Sequence, residues 1–177
     1  MSGHNKWSKI KHKKASTDAA KSKIFAKISK LITSESKKVM GNTSSPGLKS
    51  AIEKAKSVNM PNDNIERAVK KGLGNDAGTM ESITYETYGP GGAAIVIETL
   101  TDNKNRTAGE IKHILSKNNL ELASIGSALW AFEKDHSGAL VAKNKIEIGD
   151  KEMEDLEILI EALEENDDVQ NVYTNTD

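Results

Sequence analysis

The chain has 177 residues, 36% apolar and 29% charged, with 4% aromatics and no cysteine. Its core must therefore come from aliphatic side chains on amphipathic elements, and disulfides, thiolate zinc sites and a cysteine nucleophile are excluded. No apolar run approaches the roughly 20 residues that span a bilayer, and the basic start lacks the apolar stretch of a secretory signal, which points to the cytoplasm. The net charge of −1 hides a polarised chain: Met1–Asp76 holds 17 Lys or Arg against 6 Asp or Glu, and Ala77–Asp177 holds 8 against 20. A half of net +11 points to a polyanionic partner.

In chain order, residues 1–15 show no sustained period and are expected to form a basic arm. Residues 16–72 are expected to form a helical domain. Ser16, Thr17 and Asp18 offer N-cap oxygens, and Ile24, Phe25, Ile28, Leu31, Ile32 and Val39 recur at helical spacing up to Gly41. Ser45 before Pro46 starts a second helix with Leu48, Ala51, Ile52, Ala55 and Val58 inward. Pro61 starts a third, with Ile65, Ala68 and Val69 inward, that ends at Gly72. Three such stripes can bury one another. The glycine-rich residues 73–80 are expected to be a linker, at the point where the charge changes sign.

Residues 81–177 are expected to form an α+β domain. Ile83, Tyr85 and Thr87 alternate as in a strand, Gly89-Pro90-Gly91-Gly92 turns the chain, and Ala93–Leu100 is a second strand. Thr107–Asn118 reads as a helix, Ser127–Glu133 and Ala139–Lys143 as strands, Lys151–Glu165 as a helix, and Val169–Tyr173 as a last strand. After one extra strand the order is β-α-β-β-α-β, the ferredoxin-like arrangement with two helices on one face of an antiparallel sheet.

The densest chemistry is cationic. Lys6, Lys9, Lys11, Lys13, Lys14, Lys21, Lys23 and Lys27 crowd the start, with Trp7 and His12 among them. Lysines are mobile point charges that can follow a phosphate backbone. Trp7 could stack on a base or anchor the arm, and both readings stay open. A second basic feature is Lys104 and Arg106, before a helix that Asn105 or Thr107 could cap. Those side chains would reach a phosphate there, or Arg106 would pair with an acid of its own domain. The Gly89–Gly92 turn lacks the Gly-Lys-Ser/Thr of a phosphate loop. The histidines lack metal-ligand spacing, and Asp167 and Asp168 should diverge on a strand. We expect no catalytic site, metal, cofactor or small-molecule substrate.

Several motifs are shared with one family. Met1–Lys14 (MSGHNKWSKIKHKK) is similar to the opening of the YebC/PmpR family, which includes mitochondrial translational activators of cytochrome oxidase. Lys23-Ile24-Phe25, Asn59-Met60-Pro61, Ile65–Ala68, Tyr85–Gly92, Thr101–Thr107 and Asn166–Tyr173 extend the resemblance in family order. It implies a helical domain and one ferredoxin-like domain. The third domain, which the family usually carries as an insertion after Phe132-Glu133-Lys134, is missing here. It also implies a nucleic-acid-binding regulator of gene expression. Bacterial members are described as DNA-binding transcriptional regulators, and others act on the ribosome, contacting large-subunit RNA at difficult stretches such as consecutive prolines. The expected partner is therefore DNA or ribosomal RNA, with the ribosome as the assembly in the second case.

Overall fold

The computed structural model describes residues 18–74, 78–136 and 138–176. The expected arm at 1–15 and the middle of the expected linker, residues 75–77, lie outside the described residues. The chain divides into two compact units that part between Met80 and Glu81.

Among the described residues the first unit has three helices: α1 (Asp18–Lys38), α2 (Pro46–Ser57) and α3 (Asn62–Leu73). The apolar stripes meet as their spacing requires, with Ile28, Ile32, Leu48, Ala51, Ala55, Met60, Ile65 and Ala68 buried together. Ser45 is the N-cap of α2 with Pro46 in the first turn, although its hydroxyl makes no capping bond. The α1–α3 contact is close because Gly72 lacks a side chain: a Cβ there would lie 2.6 Å from the Thr33 carbonyl oxygen and 2.7 Å from the Ser36 Cβ. Across this contact the Thr33 and Ser36 hydroxyls donate to the carbonyls of Ala68 (3.2 Å) and Val69 (2.8 Å).

The second unit is α+β, as the element order implies. Strands β1 (Glu81–Tyr88), β2 (Ala94–Thr101) and β5 (Val169–Thr174) form an antiparallel sheet in the order β1-β2-β5. Helices α4 (Lys104–Lys117) and α5 (Asp150–Glu164) pack on one face of it. Ile95 and Ile97 point to that face, against Ile111, Leu115, Leu156, Leu159 and Leu163. The alternate residues Ala94 and Val96 point to the other face, against Ala128, Ala131, Phe132 and Leu140. The β1–β2 turn is a short 3₁₀ segment, Pro90–Gly92, with Gly91 (φ +66°) and Gly92 (φ +79°) in the left-handed region.

The ferredoxin-like expectation holds for the order and for the helices, and differs in pairing. Strands β3 (Phe132–Lys134) and β4 (Leu140–Ala142) pair only with each other. The edge of β2 that a middle strand would take is filled by the extra strand β1, paired from Glu81↔Thr101 to Tyr88↔Ala94. The hairpin therefore stacks on the face opposite the helices. The expected strand Ser127–Glu133 shrinks to Phe132–Lys134, with a 3₁₀ turn at Leu129–Ala131. The cause is Glu86. Its buried carboxylate accepts the amides of Gly126 (2.6 Å), Ala128 (2.7 Å) and Leu129 (2.8 Å), which a strand would have offered to a neighbour. No helix among the described residues is long and apolar enough to cross a membrane.

Candidate nucleic-acid interface

Of the cationic residues singled out by sequence, Lys6, Trp7, Lys9, Lys11, His12, Lys13 and Lys14 lie outside the described residues. Lys21, Lys23 and Lys27 are on α1, the last two half-buried. Lys23, Lys27, Lys30 and Lys37 recur at intervals of four, three and seven, which sets them on one side of the helix, away from Ile28 and Ile32. Between Asp18 and Gly74 there are 12 Lys or Arg and 5 Asp or Glu, a net of +7. One of the acids, Glu35, is paired with Lys38 at 2.6 Å. Arg67 is turned onto its own helix, donating to the Asp63 carbonyl and the Asn64 side chain. The field of this unit is thus set mainly by lysines. Like charges on one side of a helix repel one another and favour a polyanion that relieves them.

Lys104 and Arg106 open α4, and the structure separates them. Lys104 is exposed. Arg106 donates to Asp168 at 2.8 Å and to Asp102 at 2.9 Å, with Glu110 at 4.0 Å. The hydrogen bond to Asp168 and then that to Asp102 push the guanidinium pKa above its ordinary value, so it is a permanent cation, but one engaged by its own unit. The cap is Asn103, whose side chain accepts the Arg106 amide at 3.1 Å; Asn105 and Thr107, expected as caps, have other places. Thr107 is buried, and its hydroxyl lies 2.7 Å from Asp168 and 2.8 Å from the Thr101 hydroxyl. Thr101 Oγ accepts the Asn103 amide.

Asp168 is thus a hub joining the end of β2, the start of α4 and the start of β5, and it was missed as such by sequence reasoning. Its neighbour Asp167 is exposed, so the two diverge as expected, but through the turn that precedes β5 and not through strand alternation. The one local signal for the corner is the polar run Thr101–Thr107, too rich in short hydroxyl and amide side chains for an ordinary strand-to-helix loop. Glu86 was also missed. Burial alone would raise its carboxyl pKa, but the amides of Gly126, Ala128 and Leu129 outweigh burial and hold it below the usual value. Among the described residues no three His, Asp or Glu side chains converge as metal ligands would.

With this geometry in hand, the chain can be set beside known proteins. The family model described as the TACO1/YebC protein N-terminal domain matches residues 5–75, and that of the TACO1/YebC second and third domain matches 80–138 and 135–176. The two stretches meet at the β3–β4 turn, where the sequence placed the missing insertion. A probable transcriptional regulatory protein of Thermoanaerobacter pseudethanolicus is 40% identical over 240 positions, covering 100% of this chain and 97% of the relative. One of Geobacter sp. is 50% identical over 149 residues, covering 83% of this chain and 60% of the relative. The crystal structure of a conserved hypothetical protein from Aquifex aeolicus superposes with a TM-score of 0.78 at 26% identity, over 90% of this chain and 91% of that one.

Proposed function

The chain belongs to the TACO1/YebC family, and we propose that it is a non-enzymatic, nucleic-acid-binding regulator of gene expression that grips phosphate backbones through its lysine-rich N-terminal half. The observation that carries this reading is charge segregation: 17 Lys or Arg against 6 Asp or Glu before Ala77, in a chain whose net charge is −1. Neutralising phosphates releases condensed counterions, and this release drives binding with a steep salt dependence. Lys104, exposed at the start of α4, would add a contact from the second unit. Arg106 would add field rather than hydrogen bonds, because its donors face Asp168 and Asp102.

Curated relatives carry the name probable transcriptional regulatory protein, which makes DNA the first candidate. One observation favours RNA. Outside its buried residues α1 offers Lys21, Ser22, Lys23, Ala26, Lys27 and Lys30, without the Arg, Asn or Gln that read base edges in the major groove. Such a surface suits backbone and shape recognition of folded RNA, as on the large ribosomal subunit. Crosslinking in cells followed by sequencing of the bound nucleic acid decides between them. Discrete promoter DNA supports the transcriptional reading, and predominant ribosomal RNA supports action on the ribosome. Recovery of neither defeats the proposal.

A further inference from the structure

We propose that Tyr88 and Trp130, in the α+β unit, form a stacking platform for an unpaired nucleobase, a second contact that rests on the nucleic-acid binding inferred above. Exposed apolar side chains scattered singly are ordinary. Here two are joined by a hydrogen bond, Trp130 (54% exposed) and Tyr88 (39%), and Ile125, five residues before Trp130, is 95% exposed.

The two aromatics are also held in place. Trp130 Nε1–H donates to the Tyr88 hydroxyl at 3.1 Å, and that hydroxyl donates to the Ser127 carbonyl. The polar ends of both rings are thereby tied to the protein, and what remains on offer is ring surface. The backbone beneath is fixed by Glu86, two residues before Tyr88 and on the same face of β1, through its three amide acceptances and through its carbonyl, which accepts the Ala123 amide at 2.8 Å. Little conformational entropy is then lost when a flat ligand settles there.

Charge selects the occupant. The unit is strongly acidic, yet residues 87–97 and 122–132 contain no Asp, Glu, Lys or Arg. The carboxylate beneath them, Glu86, is buried and its charge is met by three amide donors, which weakens its field on a phosphate strand outside. The Ala131 carbonyl, next to Trp130, accepts the backbone amide of Lys143 at 2.9 Å, so the backbone of an exposed lysine adjoins this corner, within reach of a phosphate flanking the stacked base. Self-association is the weaker alternative. The partly exposed side chains of one loop fall well short of the ~800 Å² per partner that a stable protein interface takes.

The test uses the full chain with both tryptophans replaced by 5-fluorotryptophan, the Trp130 resonance being assigned with Trp130→Phe. A labelled single-stranded RNA of about a dozen nucleotides and the duplex of the same sequence are titrated at low salt, with binding followed independently by fluorescence anisotropy. The expected result is a Trp130 fluorine shift with the single strand and none with the duplex. Trp130→Ala should lower the preference for single strand over duplex by roughly 5- to 150-fold, the range one stacked aromatic supplies, and Trp130→Phe should restore most of it. Binding of both RNAs with an unmoved Trp130 resonance overturns the platform and leaves phosphate binding standing. A resonance that moves with protein concentration alone overturns it in favour of self-association. Binding of neither RNA, nor of the DNA single strand and duplex of the same sequence, removes the broader reading and the platform with it.

Discussion

In the helical unit no described charged side chain is buried, whereas the α+β unit buries two, Glu86 and Asp168. The first holds itself together with aliphatic stripes and one close helix crossing at Gly72, and its lysines stay at or near the surface. The second, whose excess charge is negative, draws two of its acids inward and uses them as fasteners. Glu86 fixes the loop before β3 through backbone amides. Asp168 fixes the β2–α4 corner through two hydroxyls and a guanidinium. The contrast teaches that the same residue class is scaffold in one unit and surface in the other. Which role a charge has is decided by whether partners with the right geometry surround it.

The sharpest way to break the comparison is at Glu86. Glu86→Ala leaves three amides of a buried loop without their acceptor, at about 1–3 kcal/mol for each group left unsatisfied, so a loss on the order of 3 kcal/mol or more is expected in chemical denaturation. Glu86→Gln should cost nearly as much, because its NH₂ would face donors. The carboxyl is held below its ordinary pKa of 4.5. Its contribution is therefore fully present above that value and fades as pH falls through the lower folded-state pKa. The acid limb of the stability profile should flatten in Glu86→Gln, and an unchanged limb would show that the amides do not stabilise the charge. Next in size is Gly72→Ala in the other unit. Helix propensity favours alanine by about 1 kcal/mol. The added Cβ meets a backbone oxygen at 2.6 Å, and overpacking of that kind costs about 1–3 kcal/mol, so net destabilisation is expected by thermal unfolding. A rise in Tm would mean that α1 and α3 separate at little cost.

These sites differ in how far they could be read from the sequence. Helix positions follow from spacing and punctuation: the second helix begins at Pro46 as expected, and α5 runs Asp150–Glu164 against an expected Lys151–Glu165. Such signals are local. What escaped depends on partners far along the chain. Arg106 meets Asp168 across 62 positions, and Glu86 meets Ala128 across 42. Ser127–Glu133 reads as a strand because local sequence cannot see a carboxylate arriving from β1. The separate β3–β4 hairpin was equally hidden, since element order alone does not say that β1 will occupy the free edge of β2. The Tyr88–Trp130 pair emerged only with the fold.

Asp168 offers a milder break than Glu86, although it sits at the centre of more side chains. Asp168→Asn keeps one acceptor oxygen for the Thr101 and Thr107 hydroxyls and loses the charge facing Arg106. That guanidinium is 44% exposed and retains Asp102 at 2.9 Å, so water and a second carboxylate can take over. A loss of about 1–2 kcal/mol is expected, within the range for hydrogen bonds to charged groups, visible as faster amide exchange at Thr107 and Leu100. A loss as large as that of Glu86→Ala would mean that Arg106 is not rehydrated and that the two fasteners are equivalent.

The smallest effect on stability should come from the lysines proposed to meet phosphate. Replacing Lys23, Lys27, Lys30 and Lys37 by Glu changes a net charge by eight units on one side of α1, where none of the four is buried. Surface substitutions of this kind are usually within about ±0.5 kcal/mol each, and the fall in the unit's net charge offsets part of any lost packing of their stems. Binding should respond in the opposite proportion. Each lost phosphate contact removes roughly 0.9 from the log–log salt slope on duplex DNA, or roughly 0.7 on single strands. Four contacts therefore flatten it by roughly 3 to 4. A variant that unfolds at the wild-type midpoint but binds with a flattened slope places these lysines outside the scaffold and in the interface. If the midpoint collapses while the slope among folded molecules is preserved, the lysines are scaffold after all, and the division of labour between the two units is not a division by charge.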